Sequence, residues 1–582
     1  MIKHYKVPFT GNLVLGIIGF CLSVVPLGSQ AQIYQNVAPE LGISQTYGYG
    51  SFGGGLSFFD FDQDGWDDLT FATQDGHELA FYRNVEGQFE KIDPPYVVNS
   101  CEVKQVLWAD IENDGDQDLF VTCHYGNNSL YINDGDFGFT ETIFPAPDTF
   151  STAPTWGAAI GDYDVDGFLD IFVCNKTQTL PIPNQLFRNL GDGTFEDVTE
   201  QYFIQDIFQA TFCASFVDVN NDLLPDLYTA EDKIGVNQMY KNTGSGQFED
   251  VTDDCGAGVI MDAMCVAAGD FDNDDDFDIY VTNTPGGNAL FRNNGNETFS
   301  DIAPTSGTGY YMVGWGSNWL DYDNDRDLDL YVSGSTPVNP LPSILYINFG
   351  NNFFIPGVGS GFVGDTTFSF SNAIGDFNRD GFVDIAISNM DPDSNQVWMN
   401  SGNQNNWLTL SVEGTVSNRD GIGVLMEVYS NELKQIRYTN CGVGYLAQNS
   451  EREIFGLGFE SMADSVIVKW PSGIIDRLEE VSANQFLHVV EGSTLTTSNI
   501  HIETSQFNIV PNPASSIFSV SGLKSEQGIL KISDTSGKVI KELRYHDLED
   551  TRFEIEDLIG GVYLVLIETS KGIFTSRLLK LY

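Results

Sequence analysis

The chain has 582 residues, 42% of them hydrophobic and 13% aromatic, with a formal charge of −55. That length exceeds one ordinary domain, and an acidic excess of this size excludes a protein that grips nucleic acid or an anionic membrane electrostatically. Lys3 and Lys6 precede an apolar stretch over roughly residues 13 to 27, and Ser29-Gln30-Ala31 offers small residues for cleavage. Residues 1–31 therefore read as a signal peptide, with the mature chain starting near Gln32. The apolar run is short and broken by Gly and Pro, so a membrane anchor is the weaker reading, and no later run is long enough to span a bilayer.

Seven copies of an acidic nine-residue loop follow, starting at Asp60, Asp110, Asp162, Asp218, Asp270, Asp321 and Asp376. Their spacing of 50 to 56 residues suits one four-stranded blade and is too short for a domain, which predicts a closed β-propeller over residues 32–403. The fullest form is D-x-D-x-D-G-x-x-D. Positions one, three, five and nine supply Asp60, Asp62, Asp64 and Asp68; Asp110, Glu112, Asp114 and Asp118; Asp162, Asp164, Asp166 and Asp170; Asp218, Asn220, Asp222 and Asp226; Asp270, Asp272, Asp274 and Asp278; Asp321, Asp323, Asp325 and Asp329; and Asp376, Asn378, Asp380 and Asp384. Carboxylates at alternate positions of a tight turn converge, and a carbonyl at position seven with a bidentate carboxylate at nine completes the oxygen set calcium requires. Of the 28 donors only Asn220 and Asn378 are not acidic, and both still offer an oxygen. Turns that merely keep a protein soluble need no such regularity.

An EF-hand shares this opening but places a bidentate Glu at position twelve, between helices. Here position twelve holds Phe71, Val121, Val173, Thr229, Val281, Val332 and Ile387, in β-rich runs, so the loop joins two strands. Gly at position six allows the positive φ that reverses the chain. Leu223 and Arg326 replace it in copies four and six, and Asp275 in copy five. Because Leu and Arg adopt positive φ only at a cost, sites four and six are expected to bind metal least among up to seven.

Each repeat continues with an apolar residue, an aromatic, a variable residue and Asn: Phe81 to Asn84, Leu130 to Asn133, Leu186 to Asn189, Met239 to Asn242, Leu290 to Asn293, Leu345 to Asn348 and Val397 to Asn400. The apolar and aromatic members read as packed layers between blades. A further strand recurs as Phe195 to Thr199, Phe248 to Thr252 and Phe299 to Ala303, and again as Tyr34 to Ala38 ahead of the first loop. That stray copy is expected to complete the last blade and close the ring. Loop and spacing together resemble the FG-GAP or VCBS-type repeats of integrin α-subunit propellers and of many secreted bacterial proteins. The resemblance implies a seven-bladed propeller with calcium in the loops between the first two strands of each blade.

Cys21 lies in the signal, leaving Cys101, Cys123, Cys174, Cys213, Cys255, Cys265 and Cys441, an odd number whose spacing fits neither a zinc site nor a CxxC motif. No pairing follows. Cys213 and Cys265 occupy equivalent strands of neighbouring blades, where free thiols and disulfides are both open readings.

Alternating runs at 407–412, 424–429, 466–470 and 486–490 predict a compact β domain over residues 404–491. Its Ser417 to Gly423, Gly442 to Ser450, Phe455 to Gly458 and Trp470-Pro471-Ser472-Gly473 resemble the ASPIC/UnbV domain, with Val424 where that family usually has Ala. The same pairing of domains occurs in the cartilage acidic protein family of secreted calcium-binding proteins. The Gly-rich stretches read as tight turns, with ligand-binding loops as the alternative.

A polar linker, 492–504, leads to a third region, 505–582. Val510 to Ala514, Asp534 to Val539, Gly561 to Val565 and the basic residues Lys571, Arg577 and Lys580 resemble the type A sorting domain of the type IX secretion system of Bacteroidota. That resemblance implies an immunoglobulin-like sandwich and handling by the type IX machinery, hence secretion or display on the outer cell surface. His77 and His124 are the only propeller histidines, and neither G-x-S-x-G nor H-E-x-x-H occurs. The expectation is an all-β, monomeric, calcium-binding surface or matrix protein that binds an extracellular glycan or protein without catalysis. The alternative is a calcium-dependent lyase or hydrolase of extracellular polysaccharide.

Overall fold

The computed structural model describes residues 33–494 apart from 75, 94–100, 136, 145–153, 177–181, 203–209, 234, 245, 335–342 and 363, and, beyond them, 508–512, 514–521, 528–533, 539–545, 548, 551–555, 558, 561–569 and 572–580. The signal segment, most of the linker and the Asp534 to Lys538 motif lie outside these. The chain forms two compact units, residues 1–493 and 494–582.

In the first unit each of the first six repeats supplies four antiparallel strands to one sheet and the seventh supplies three, giving seven sheets. Their first strands are Leu56–Phe59, Glu102–Ala109, Thr155–Gly161, Thr211–Val217, Val266–Gly269, Gly314–Leu320 and Ser369–Gly375. Each packs against the first strands of both neighbouring sheets, and the circuit closes between the seventh and the first. The packed layers come from the positions the repeat keeps apolar. Between sheets one and two, for example, Phe61, Phe81, Trp108 and Tyr131 are buried together.

Ring closure uses the stray N-terminal strand. Tyr34–Asn36 pairs antiparallel with Gln396–Asn400, in the register Tyr34 to Asn400 and Asn36 to Trp398, so the seventh sheet takes its fourth strand from the start of the chain. Tyr34 is fully buried, and its hydroxyl donates to the Val383 carbonyl at 2.9 Å.

Residues after 404 form a sheet of Asn406–Glu413, Glu453–Gly458 and Gln485–Val490 and a second of Leu433–Tyr438, Leu425–Ser430, Met462–Lys469 and Ile475–Ser482. Leu408, Leu410, Met426, Val428, Phe455, Val466, Val468 and Trp470 pack between them. Two of the motif serines serve one internal tie. The Glu491 carboxylate accepts the backbone N–H groups of Thr415, Val416 and Ser417 and the hydroxyls of Ser417 and Ser472.

This sandwich is not independent of the ring, because its segment 441–449 enters the axis and touches all seven sheets. Ala447–Gln448 pairs parallel with Leu56–Phe59, and Cys441 and Gly444 bridge to Ile160 and Val266. The Gln448 amide accepts from Trp108 N–H and donates to Trp108 O, at 2.8 and 2.7 Å. Asn449 donates to Asn318 Oδ1 and accepts from Ile374 N–H. Tyr445, fully buried, packs on Phe212 and Trp315, and its hydroxyl donates to Phe52 O. Gly442, at φ 91°, runs so close to the third sheet that a Cβ there would lie 2.5 Å from Ala158 O. At Gly442 the Gly-rich signature is thus a tight fit to a neighbouring backbone.

The second unit holds a three-stranded sheet, Asn508–Val510, Ile517–Ser521 and Arg552–Glu554, and a four-stranded one, Val539–Tyr545, Gly528–Ser533, Gly561–Thr569 and Gly572–Lys580. Phe518, Val520 and Phe553 from the first pack with Leu530, Ile532, Val565 and Ile567 from the second, which is the sandwich the resemblance implied. Among the described residues Cys101 and Cys123 form a disulfide, and Cys174, Cys213, Cys255, Cys265 and Cys441 are buried free thiols.

Candidate metal centres

All seven acidic loops join the first and second strands of a sheet, and the ninth residue of each opens the second strand opposite the last residue of the first, as in Phe59 to Asp68 and Gly375 to Asp384. One hydrogen-bond pattern recurs in every copy. The position-one carboxylate accepts the N–H of position five through Oδ1 and of position six through Oδ2, at 2.8 to 3.2 Å. The position-nine carboxylate accepts the N–H of position two and the N–H of the repeat's Asn, from Asn84 to Asn400. The seventh copy, Asp376, Asn378, Asp380 and Asp384, shares this hydrogen-bond pattern.

Copies four and six keep the turn although they lack Gly. Leu223 (φ 65°), Arg326 (φ 87°) and Asp275 (φ 75°) all take the left-handed backbone that Gly65, Gly115, Gly167 and Gly381 take elsewhere. A penalty of about 1–2 kcal/mol for such a residue is outweighed by the bonds the loop makes to its own buried carboxylates.

Burial holds these acids in a costly state. Desolvation, with neighbouring carboxylates adding to it, pushes Asp68 up to about 9 and Asp118 up to about 8, and raises Asp170, Asp226, Asp278, Asp329 and Asp384 well above the usual range. At position one Asp110, Asp162, Asp270 and Asp376 rise to about 7 and Asp60 and Asp218 to about 6, again mainly by desolvation. Carboxylate oxygens of Asp60, Asp62 and Asp68, of Asp162, Asp164 and Asp170, of Asp270, Asp272 and Asp278, and of Asp321, Asp323 and Asp325 lie within 4.8 Å of one another. The Oδ1 atoms of Asp164 and Asp272 are buried with no hydrogen-bond partner. Crowded, desolvated, partly unpartnered carboxylates fit a hard cation.

Two features escaped the reading of the sequence. The first is position four, which is left-handed in every copy: Gln63, Asn113, Val165, Asn221, Asn273, Asn324 and Arg379 have φ of 54° to 60°. In five copies its side chain donates to the position-six carbonyl of the next loop: Asn113 to Gly167, Asn221 to Asp275, Asn273 to Arg326, Asn324 to Gly381 and, across the closure, Arg379 to Gly65. Asn in four of seven copies was the available signal, since Asn tolerates this region better than most residues. The second is the repeat's Asn, whose Nδ2 in six copies reaches the position-two carbonyl of the preceding loop, as from Asn84 to Phe377 and from Asn242 to Tyr163. Together these bonds link successive loops from the second through the seventh to the first.

The sandwich of residues 406–490 also contacts these loops. Arg452 donates to Asp60 and Asp67 at 2.6 Å, Asp420 accepts Asp110 N–H at 2.7 Å, and Lys434 lies 3.2 Å from Asp275. His124 faces Glu102 at 3.2 Å and packs on Trp156, while His77 bonds Gln74.

Fold and loops together define a repeat-built all-β ring with oxygen-lined, metal-competent turns. The family of FG-GAP-like repeats matches residues 60–121, 110–173, 162–229, 218–281 and 273–332; ASPIC and UnbV matches 414–496; and the secretion system C-terminal sorting domain matches 508–580. The chain therefore carries FG-GAP-like repeats, an ASPIC/UnbV domain and a sorting domain of the kind that directs Bacteroidota proteins to the cell surface. It is 26% identical over 279 residues to cartilage acidic protein 1 of Xenopus tropicalis, covering 44% of this chain and 41% of that one. With the Homo sapiens protein of that name it shares 28% over 324 residues, 54% of this chain and 41% of that. The matches span about two-fifths of those relatives' length. Among solved structures, the extracellular domain of a putative hybrid two-component system from B. thetaiotaomicron is similar at TM-score 0.39 and 10% identity, over 95% of this chain and 59% of that one. Among the described residues no helix is long and apolar enough to cross a membrane.

Proposed function

We propose that the seven loops are calcium sites, with the residues at positions one, three, five and nine as side-chain ligands and position seven as a carbonyl ligand. The observation that carries this is the buried carboxylate group with unpartnered oxygens at its centre. An all-oxygen set with no thiolate or imidazole favours calcium over zinc or copper, and its many donors favour it over magnesium. The ion would act as counter-charge to the buried position-nine carboxylates, which accept backbone N–H groups of the chain.

The organisation proposed is a signal peptide, residues 1–31; the ring, 32–403; the ASPIC/UnbV sandwich, 404–491, seated on the ring; a linker, 492–504; and the sorting domain, 505–582. In this reading the exported protein is a non-enzymatic surface or matrix component that uses the calcium-braced ring to hold an extracellular glycan or protein. Two observations support it over a polysaccharide-cleaving enzyme. The axis, where such a propeller would present a convergent channel, is filled by 441–449, and both propeller histidines are engaged with neighbours. A glycan array probed with the mature protein in calcium, with product analysis of every hit, tests this. Retention without cleavage is expected, and released oligosaccharide products would contradict it.

A further inference from the structure

We infer that the variable residue between the aromatic and the Asn of each repeat sets how tightly its loop holds metal, and that Arg83, Arg188 and Arg292 make loops one, three and five the high-affinity class. The inference rests on the calcium reading above.

Arg83 Nε lies 2.7 Å from Asp62 Oδ2. Arg188 spans two ligands, with Nε 2.7 Å from Asp164 Oδ2 and Nη2 2.8 Å from Asp166 Oδ2. Arg292 Nη1 is 3.9 Å from Asp272 Oδ2. Each guanidinium faces Oδ2 of the position-three carboxylate and leaves Oδ1 for the loop, and in Asp164 and Asp272 that Oδ1 is the buried, unpartnered atom.

The grouping of carboxylates follows the arginine. In loops one, three and five the oxygens of positions one, three and nine gather within 4.8 Å; in loop six, whose strand carries Ile347 instead, the gathered set is one, three and five. Loop two, with Ile132, gathers no such set among the described residues. Loops four and seven have Asn at position three, and the equivalent Lys241 of loop four turns away to Glu297.

Four carboxylates in one turn repel each other, and an ion binds faster and tighter to a set already held in place. The arginine's charge opposes the ion, but these side chains are 34 to 44% exposed, so water and salt screen that charge, while Arg188 Nη2 keeps a 2.8 Å hydrogen bond to Asp166 Oδ2. Loss of a group that orients a ligating carboxylate typically weakens metal binding about 10- to 100-fold. The arginines are positioning residues by this argument.

Calorimetric calcium titration of the full mature chain tests it. The parent should show a tight class of three sites above a weaker class. Arg188→Met should leave two tight sites, the third weakened about tenfold or more, and Arg83→Met should do the same at loop one. Arg188→Lys keeps the charge but cannot span Asp164 and Asp166, so it should also leave two tight sites, whereas Lys241→Met should match the parent. Three tight sites in Arg188→Met, or an Arg188→Lys titration identical to the parent's, would overturn the assignment of affinity to these arginines while leaving the calcium reading intact. A parent chain that takes up no calcium would overturn both.

Discussion

Stripping divalent metal from the mature protein should lower the melting temperature of its larger unit by roughly 10 °C or more, reversibly on return of calcium but not of magnesium at equal concentration. Each site held at 100 times its dissociation constant contributes about 2.7 kcal/mol to the folded state, so three saturated loops already contribute about 8 kcal/mol. Without the ion, the ligands are buried with no bound cation, and burial first, with neighbouring carboxylates adding to it, drives Asp68 and Asp118 up to about 9 and 8. The links between neighbouring loops should spread the loss around the ring instead of confining it to one blade. Differential scanning calorimetry with and without chelator reads this directly, and coincident melting curves would contradict it.

Removing residues 33–40 should be comparably severe. The deletion takes away the whole fourth strand of the seventh sheet, with Tyr34, Val37 and Ala38 from the buried layer. It also removes the backbone bonds from Tyr34 N–H to Ser360 O, from Val37 N–H to Val397 O and from Ser401 N–H to Ile33 O. Replacing one buried large aromatic by Ala costs about 3–5 kcal/mol, so Tyr34→Ala alone should produce a clear destabilisation, and the deletion more. The strand Gln396–Asn400 would then present an unpaired edge, so aggregation on heating is expected as well. A deleted chain that melts and stays soluble like the parent would show that the ring does not depend on this closure.

Much of the ring could be read from the sequence because it is written locally. A nine-residue pattern recurring every fifty-odd residues names a turn between strands wherever it occurs, and the extra Tyr34 to Ala38 strand pointed to its own place in the seventh sheet. What stayed hidden depends on residues far apart in the chain. The variable position that holds Arg83, Arg188 and Arg292 has meaning only once it is seen beside Asp62, Asp164 and Asp272. The position-four belt needs both a left-handed backbone and a carbonyl from the next loop, roughly fifty residues on. Nothing near Tyr445 says that it belongs in the ring axis against Phe212 and Trp315, because those partners lie far upstream. Leu223 and Arg326 keep the left-handed turn without Gly, because all seven loops share one set of bonds to their own carboxylates.

Long-wavelength diffraction from crystals grown in calcium tests the central claim most directly. The account predicts anomalous peaks inside the acidic loops, strongest in loops one, three and five, with ligand oxygens at about 2.3–2.6 Å. Ordered loops holding only water, with no anomalous signal at any of the seven, would contradict it.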